Sequence, residues 1–197
     1  MKFSRTRALS VFMVAGALST LATGSNSAGA APPTLICDGK EATIVGTNDS
    51  EIITGTKRQD VIMSLNGDDL IYGKKGDDII CAGNGNDRVF GDEGNDVIWA
   101  GNGEDQVEGG EGHDKIYGEN GNDTLFGNEG NDNILGGNGM DWLRGGTDED
   151  YLWGGAEDDL LWGGQGGKDR INGEGGDDTC VYESPNESTG CETLIEI

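Results

Sequence analysis

Fourteen aspartates fall in a single register along this chain, and no other feature restricts its folding more. They are Asp60, Asp69, Asp78, Asp87, Asp96, Asp105, Asp114, Asp123, Asp132, Asp141, Asp150, Asp159, Asp169 and Asp178. Successive members stand nine residues apart, except for one step of ten between Asp159 and Asp169. Two residues beyond each lies an aliphatic side chain, from Ile62, Ile71 and Ile80 through Leu161 and Ile171, with Cys180 in that place in the last unit. Each unit therefore reads approximately Gly-x-x-Gly-x-Asp-x-aliphatic-x. Glycine supplies turn conformations that other residues avoid. An aliphatic residue between two outward positions describes a three-residue strand with its middle side chain buried. One unit is then one turn and one short strand.

Two such units complete a coil, and coils stacked in parallel make a right-handed all-β solenoid. Stacking places Asp60 over Asp78 and Asp69 over Asp87, so the aspartates form columns of like charge about 4.8 Å apart. Two unit charges at that distance repel by about 1 kcal/mol even in water, and by more when partly desolvated. Repeated along both edges, this term opens the fold, and a divalent cation between successive carboxylates reverses its sign. Carboxylate and carbonyl oxygens in flexible turns suit Ca²⁺, and no softer ligand cluster attracts zinc or copper. Turn capping alone does not account for the pattern. Asp and Asn serve turns about equally, yet Asn never takes the sixth place and appears one place earlier, at Asn86, Asn95, Asn122 and Asn131. The fourteen aspartates are thus the candidate ligands of multiple calcium ions.

The units Gly83-Asn84-Gly85-Asn86-Asp87-Arg88-Val89, Gly110-Glu111-Gly112-His113-Asp114-Lys115-Ile116 and Gly137-Asn138-Gly139-Met140-Asp141-Trp142-Leu143 resemble the haemolysin-type, or RTX, calcium-binding nonapeptide. The resemblance covers residues 46–181. It implies a parallel β-roll in which each calcium sits between the turns of units n and n+2, held by the repeat Asp and by turn carbonyls. Two departures limit what carries over. The repeats are nearly the whole chain, with no separate toxin or catalytic domain, and the export signal reads as N-terminal. Haemolysis and type I secretion are therefore not expected. An ice-binding role is disfavoured as well, since Thr124 and Thr179 are isolated rather than part of an outward row.

Residues 1–30 read as a secretory signal peptide. Lys2, Arg5 and Arg7 make a basic start, Ala8 to Leu21 an apolar core, and Ala28-Gly29-Ala30 a small-residue cleavage site. The apolar run is short and contains Ser and Gly, which argues against a membrane anchor. The expectation is a secreted protein. The full chain carries 13 basic and 37 acidic residues, a net −24. With the three signal-peptide cations gone, ten basic residues face 37 acidic ones and the charge becomes −27. Such a chain is no partner for nucleic acid or anionic membranes. Without metal its composition is that of a disordered polyanion, so folding and calcium binding are expected to be one linked process.

The mature chain divides into an N-terminal cap (31–45), the repeat array (46–181) and a C-terminal cap (182–197), because a solenoid's end coils expose apolar rungs and unpaired strand edges. Residues 46–54 form a divergent first unit, with Glu51 where Asp belongs. Cys37, Cys81, Cys180 and Cys191 lie near the ends of the array, and in an exported protein an even count suggests disulfides. Of three possible pairings, proximity favours Cys37–Cys81 and Cys180–Cys191. Arg58, Asp148 and Glu157 replace the glycine at the fourth place, and Gly163 to Asp169 carries an extra residue with Lys168 beside the ligand Asp. Weaker or missing calcium is expected around Asp60, Asp150, Asp159 and Asp169, with the run Asp69 to Asp141 binding tightly.

If alternate units alternate sheets, one outer face carries Met63, Cys81, Trp99, Tyr117, Leu135 and Trp153, beside Val61, Ile79, Val97 and Tyr151. The other mixes Tyr72, Phe90, Phe126, Trp142 and Trp162 with Arg88, Gln106, Glu108, Thr124 and Arg144. The first is the more continuously apolar, and a polysaccharide or protein partner on it is the alternative functional reading. Large residues also favour strands without any partner. Catalysis has little support. His113 is the only histidine and sits at a repeat turn position, and no nucleophile motif occurs. The chain is not expected to be an enzyme.

Overall fold

The computed structural model describes residues 34–182 and 187–196. The signal peptide read at 1–30 lies outside them, as do 31–33 of the N-terminal segment and 183–186 and 197 of the tail. Among the described residues there are twenty β-strands and no helix. A short antiparallel hairpin pairs Ile36–Cys37 with Lys40–Glu41. Every later strand joins one of two nine-stranded parallel sheets, taken alternately along the chain. Each strand pairs with the strand two units away, so that Ile62 faces Ile80, Ile71 faces Val89 and Ile116 faces Ile134. This is the parallel β-solenoid that the nine-residue spacing requires, with eighteen residues per coil. The extra residue before Asp169 changes the offset locally, pairing Leu152 with Ile171 and Leu161 with Cys180.

The strands are longer than the three residues expected. From Leu70–Lys75 to Arg170–Gly175 they run six residues each. The ladder continues through the second and third turn positions, with Gly110 opposite Asp92 and Glu111 opposite Glu93. The cause is the stacking itself. Every backbone group sits over its equivalent one coil away and finds its hydrogen-bond partner there, as when Gly94 N–H donates to Glu111 C=O at 2.8 Å. Only the fourth to sixth positions are left to make the tight turn, and there Gly76 and Gly94 take φ of 117° and 147°. Asp148 and Glu157 occupy that place with φ of 76° and 78°, a conformation that L-residues other than glycine avoid.

Side-chain alternation with period two decides what faces inward. The aliphatic residue at position eight points in, and so do the residues two places before and after it. Three inward positions per unit result: the Asp, the aliphatic residue, and the first residue of the next unit. The aliphatic rows meet in a narrow core of Ile62, Ile71, Ile80, Val89 and their successors to Ile171 and Cys180, each at most 2% exposed. The third inward position is always Gly, Ala or Ser, for a reason the site makes plain.

Among the described residues, the terminal segments add rungs to the two sheets. Ile44–Val45 pairs with Ile62–Met63 as the first rung of one sheet. Glu187–Thr189 and Thr193–Glu196 add a last rung to each sheet, and Leu194 there is 54% exposed. The hairpin instead covers the outer face. Cys37 is wholly buried against Val61, Ile79 and Cys81, with Ala42, Met63, Val97 and Trp99 at the edge of the cluster. The structure pairs Cys37 with Cys81 and Cys180 with Cys191, at sequence separations of 44 and 11. In the chain-entropy account the longer loop is worth about 4 kcal/mol and the shorter about 3. Replacing Cys37 and Cys81 by Ser is therefore expected to destabilise the calcium-saturated protein more than replacing Cys180 and Cys191, as read by denaturant midpoint. The opposite order would show that the hairpin is not held as described.

Candidate metal sites

The repeat aspartates stand in two columns, one per edge of the solenoid, and all fourteen are buried, thirteen at 3% exposure or less and Asp60 at 7%. Their two carboxylate oxygens do different things. Oδ1 accepts the backbone N–H of the residue one coil earlier: Asp60 N–H donates to Asp78 at 2.7 Å, Asp96 N–H to Asp114 at 2.8 Å, Asp159 N–H to Asp178 at 2.9 Å. Oδ2 has no partner in Asp69, Asp78, Asp87, Asp96, Asp105, Asp114, Asp123, Asp132, Asp141, Asp150, Asp159 and Asp178. A buried acceptor without a partner costs about 1–3 kcal/mol, and more if charged. Twelve in two rows point to a ligand.

What faces those oxygens is a backbone carbonyl. A β-carbon on Gly73 would lie 2.7 Å from both Asp78 Oδ2 and the Gly91 carbonyl oxygen. The same pairing of a unit's own Oδ2 with the carbonyl one coil on recurs at Gly91, Gly109, Gly118, Gly127, Gly136, Gly145 and Gly154. The inward first position is kept small so that two oxygens from successive coils can approach. Among the described residues no three His, Cys, Asp or Glu side chains converge on one point, so such a site must draw on carbonyls. All-oxygen donors, with carboxylate charge and adaptable turns, fit Ca²⁺.

The units are not equivalent. Asp60 is set apart, because its Oδ2 accepts Thr56 N–H at 2.6 Å. Asp150 and Asp159 keep the open Oδ2 of the central units. Within the run expected to be tightest, Ser64, Ala82 and Ala100 put a β-carbon at the inward first position, and the Ser64 hydroxyl donates to the Ala82 carbonyl. Glu51, in the Asp place of the first unit, accepts the Thr47 hydroxyl at 2.8 Å through Oε1.

Two further ladders escaped the sequence reading. At the third position of alternate units, Asn48, Asn66, Asn84, Asn102, Asn120 and Asn138 stack amide on amide. Nδ2 of Asn84, Asn102, Asn120 and Asn138 donates to Oδ1 of the residue one coil earlier at 2.6, 2.6, 2.9 and 2.9 Å. The signal was present as an Asn every eighteen residues, visible only once alternate units are separated. At the fifth position the side chain accepts the next coil's backbone N–H. His113 N–H donates to Asn95 Oδ1 and Asn131 N–H to His113 Nδ1, at 2.9 and 2.8 Å. His113 thus does the work of a turn Asn.

The outward aromatics do not form a flat platform. Trp99 and Tyr117 stack on each other at 3.9 Å with planes 10° apart, as do Tyr72 and Phe90 at 5.1 Å and 8°. Lys74, Arg88 and Arg144 sit over Tyr72, Phe90 and Trp162. These ring faces are taken up by neighbouring rings and cations, and the hairpin covers the start of the more apolar face.

Fold and donor set together define a class: a parallel β-solenoid whose coils meet through stacked carboxylate and carbonyl oxygens. The family model of the RTX calcium-binding nonapeptide repeat matches residues 45–80, 82–116, 101–134, 135–167 and 165–183, and the chain belongs to that family. No curated protein matches it.

Burial raises the carboxyl pKa values. Loss of hydration outweighs the backbone N–H each accepts, pushing Asp78, Asp96, Asp105, Asp114, Asp132 and Asp141 to about 7. Asp87, Asp123 and Asp159 rise to about 6, and Asp150 to about 8. The ordinary value is about 4. With the folded pKa raised, the fold without cations holds more protons than the unfolded chain between about pH 4 and 7, and its stability falls as pH rises through that window. A cation must displace those protons. Two outcomes are expected: calcium binding weakens from pH 8 to pH 5, and the chain in chelator gains β-structure on acidification. Circular dichroism at fixed pH steps reads both. Calcium affinity independent of pH over this range would contradict the burial of ionised carboxylates.

Proposed function

We propose that this is a secreted protein that binds multiple calcium ions in its repeat turns, and that binding drives the β-roll to fold. The observation that carries the reading is the double row of buried Asp Oδ2 atoms, set against a carbonyl of the next coil wherever the first position is the glycine of units Asp78, Asp96, Asp114 to Asp159 and Asp178. Asp69, Asp78, Asp87, Asp96, Asp105, Asp114, Asp123, Asp132, Asp141, Asp150, Asp159 and Asp178 supply the open oxygens. Asp60 is the weakest ligand, its second oxygen being engaged by Thr56. Asp169 lies in register with them. The signal-peptide pattern and two disulfides support export to an oxidising, calcium-rich compartment. Extracellular calcium modules bind with Kd near about 10⁻⁴–10⁻³ M, an affinity that delays folding until export. Each coil that closes brings the next column member into place, so binding is cooperative along the array.

A calcium titration followed by far-UV circular dichroism, with magnesium as control, tests the reading. A cooperative gain of β signal with Ca²⁺ and not with Mg²⁺ is expected. Mg²⁺ demands octahedral geometry with several retained waters, which two columns of close-packed turns do not accommodate. A β-rich spectrum that survives thorough chelation unchanged would remove the linked-folding mechanism.

A further inference from the structure

The family match stops at residue 183, yet the register of the repeats continues for one more rung. Thr193 pairs with Thr179 and Leu194 with Cys180, so Glu192 stands opposite Asp178, at the ligand place of the last rung. Glu192 is exposed, unlike the repeat aspartates, but it makes their backbone contact. Its Oε2 accepts Asp178 N–H at 2.8 Å, and Glu192 and Thr193 N–H donate to the Asp178 carbonyl at 3.1 and 2.9 Å. In the other sheet, Thr189 pairs with Asn172, which sets Gly190 over Gly173. Between Gly190 and Glu192 lies a single residue, Cys191, where the repeats have four, and its disulfide to Cys180 holds this shortened turn.

The donors of a repeat site recur there. Asp178 is wholly buried and its Oδ2 has no partner. A β-carbon on Gly173 would crowd both that oxygen and the Gly190 carbonyl, the arrangement found at Gly73 with Asp78 and Gly91. The opposite end of the solenoid is closed differently. Glu51 accepts from Thr47, and Asp60 Oδ2 accepts from Thr56 at 2.6 Å, so threonine and backbone donors satisfy the first coil. At the last rung the residue following the glycine is Cys191, whose sulfur is in a disulfide, and the Asp178 oxygen stays open.

We propose that the calcium site of Asp178, the last repeat aspartate, is completed from beyond the nonapeptide repeats by Gly190 and Glu192, and that it clamps the final rung to the coil before it. The inference rests on the reading of the repeat columns as calcium sites. Asp178 Oδ2 and the Gly190 carbonyl are direct ligands, and Glu192 brings a second negative charge to the ion. The longer glutamate arm suits a turn three residues shorter than those of the repeats. Leu194 and Ile195 of the last rung are 54% and 44% exposed, so they add little burial to its strand pairing and disulfide.

The test uses the full chain with its disulfides intact. Native mass spectrometry counts bound calcium, and hydrogen exchange follows the amides of 187–196. Glu192→Gln keeps an acceptor for Asp178 N–H but removes the charge, and Glu192→Asp keeps the charge. At a calcium concentration that just saturates the wild type, E192Q is expected to carry one ion fewer, from an affinity loss of about ten- to a hundredfold at that site. Its tail amides lose their calcium-dependent slowing, while the far-UV spectrum still shows folded repeats. E192D keeps the ion. If E192Q binds as many ions as the wild type and protects its tail equally, Glu192 takes no part in calcium binding and the repeat reading stands without it. Tail amides in the wild type that exchange equally slowly with calcium and with chelator also overturn the clamp, without reliance on any variant. A wild type that binds no calcium at all overturns the repeat reading together with this one.

Discussion

Everything in this structure depends on how a buried carboxylate oxygen finds a positive partner. A solenoid of identical units stacks like on like, so whatever one turn places inside, every turn places inside, one rung above the last. Here that group is an aspartate. One of its oxygens is satisfied by the backbone of the preceding coil, which ties the coils together and fixes their register. The other is left open, repeated up both edges. A thin core of one aliphatic residue per unit does not offset that many unpaired acceptors. Protons or cations must, and the raised pKa values and the carbonyls facing each Oδ2 are two expressions of the same need.

The two ends and edges meet this constraint in different ways. At the N-terminal end the demand is relieved internally: Thr47 and Thr56 supply donors to Glu51 and Asp60, the Cys37–Cys81 disulfide ties the hairpin to the second coil, and Lys75 bridges to Glu93 at 2.6 Å. One edge adds the neutral Asn48–Asn138 amide ladder. The other stacks Glu93, Glu111 and Glu129 in register, with Lys75 bridging to Glu93. The first coils thus hold several contacts that need no metal. At the C-terminal end the Cys180–Cys191 disulfide ties the last rung, and the open oxygens continue to Asp178.

Much of this was legible in the sequence because the repeat is strict. The nine-residue spacing of the aspartates and the aliphatic residue two places on gave the coil length, the alternation of sheets, the core and the aspartate columns. What was missed came from the stacking, which acts across eighteen residues instead of within a unit. Strand length is one case: the turn's second and third positions look like loop in isolation and become strand because a neighbouring coil pairs with them. The Asn ladder is another, invisible until alternate units are separated. The small residue at the inward first position read as turn glycine, whereas its role is to leave room for two oxygens. The described residues of the terminal segments add rungs or, for the hairpin around Cys37, cover an outer face, and no repeat spacing encodes either.

The central claim is one of position: divalent cations lie beside the Asp Oδ2 columns. Long-wavelength anomalous diffraction from crystals grown in calcium locates such ions without reference to any assumed chemistry. Two rows of peaks are predicted, each in contact with an Asp Oδ2 and with the carbonyl of the first-position residue one coil on, spaced by about one rung of 4.8 Å. A calcium-grown crystal with an intact solenoid and no peaks along either column would contradict the account, leaving the carboxylates neutralised by protons and the repeat Asp as a buried cap for the backbone.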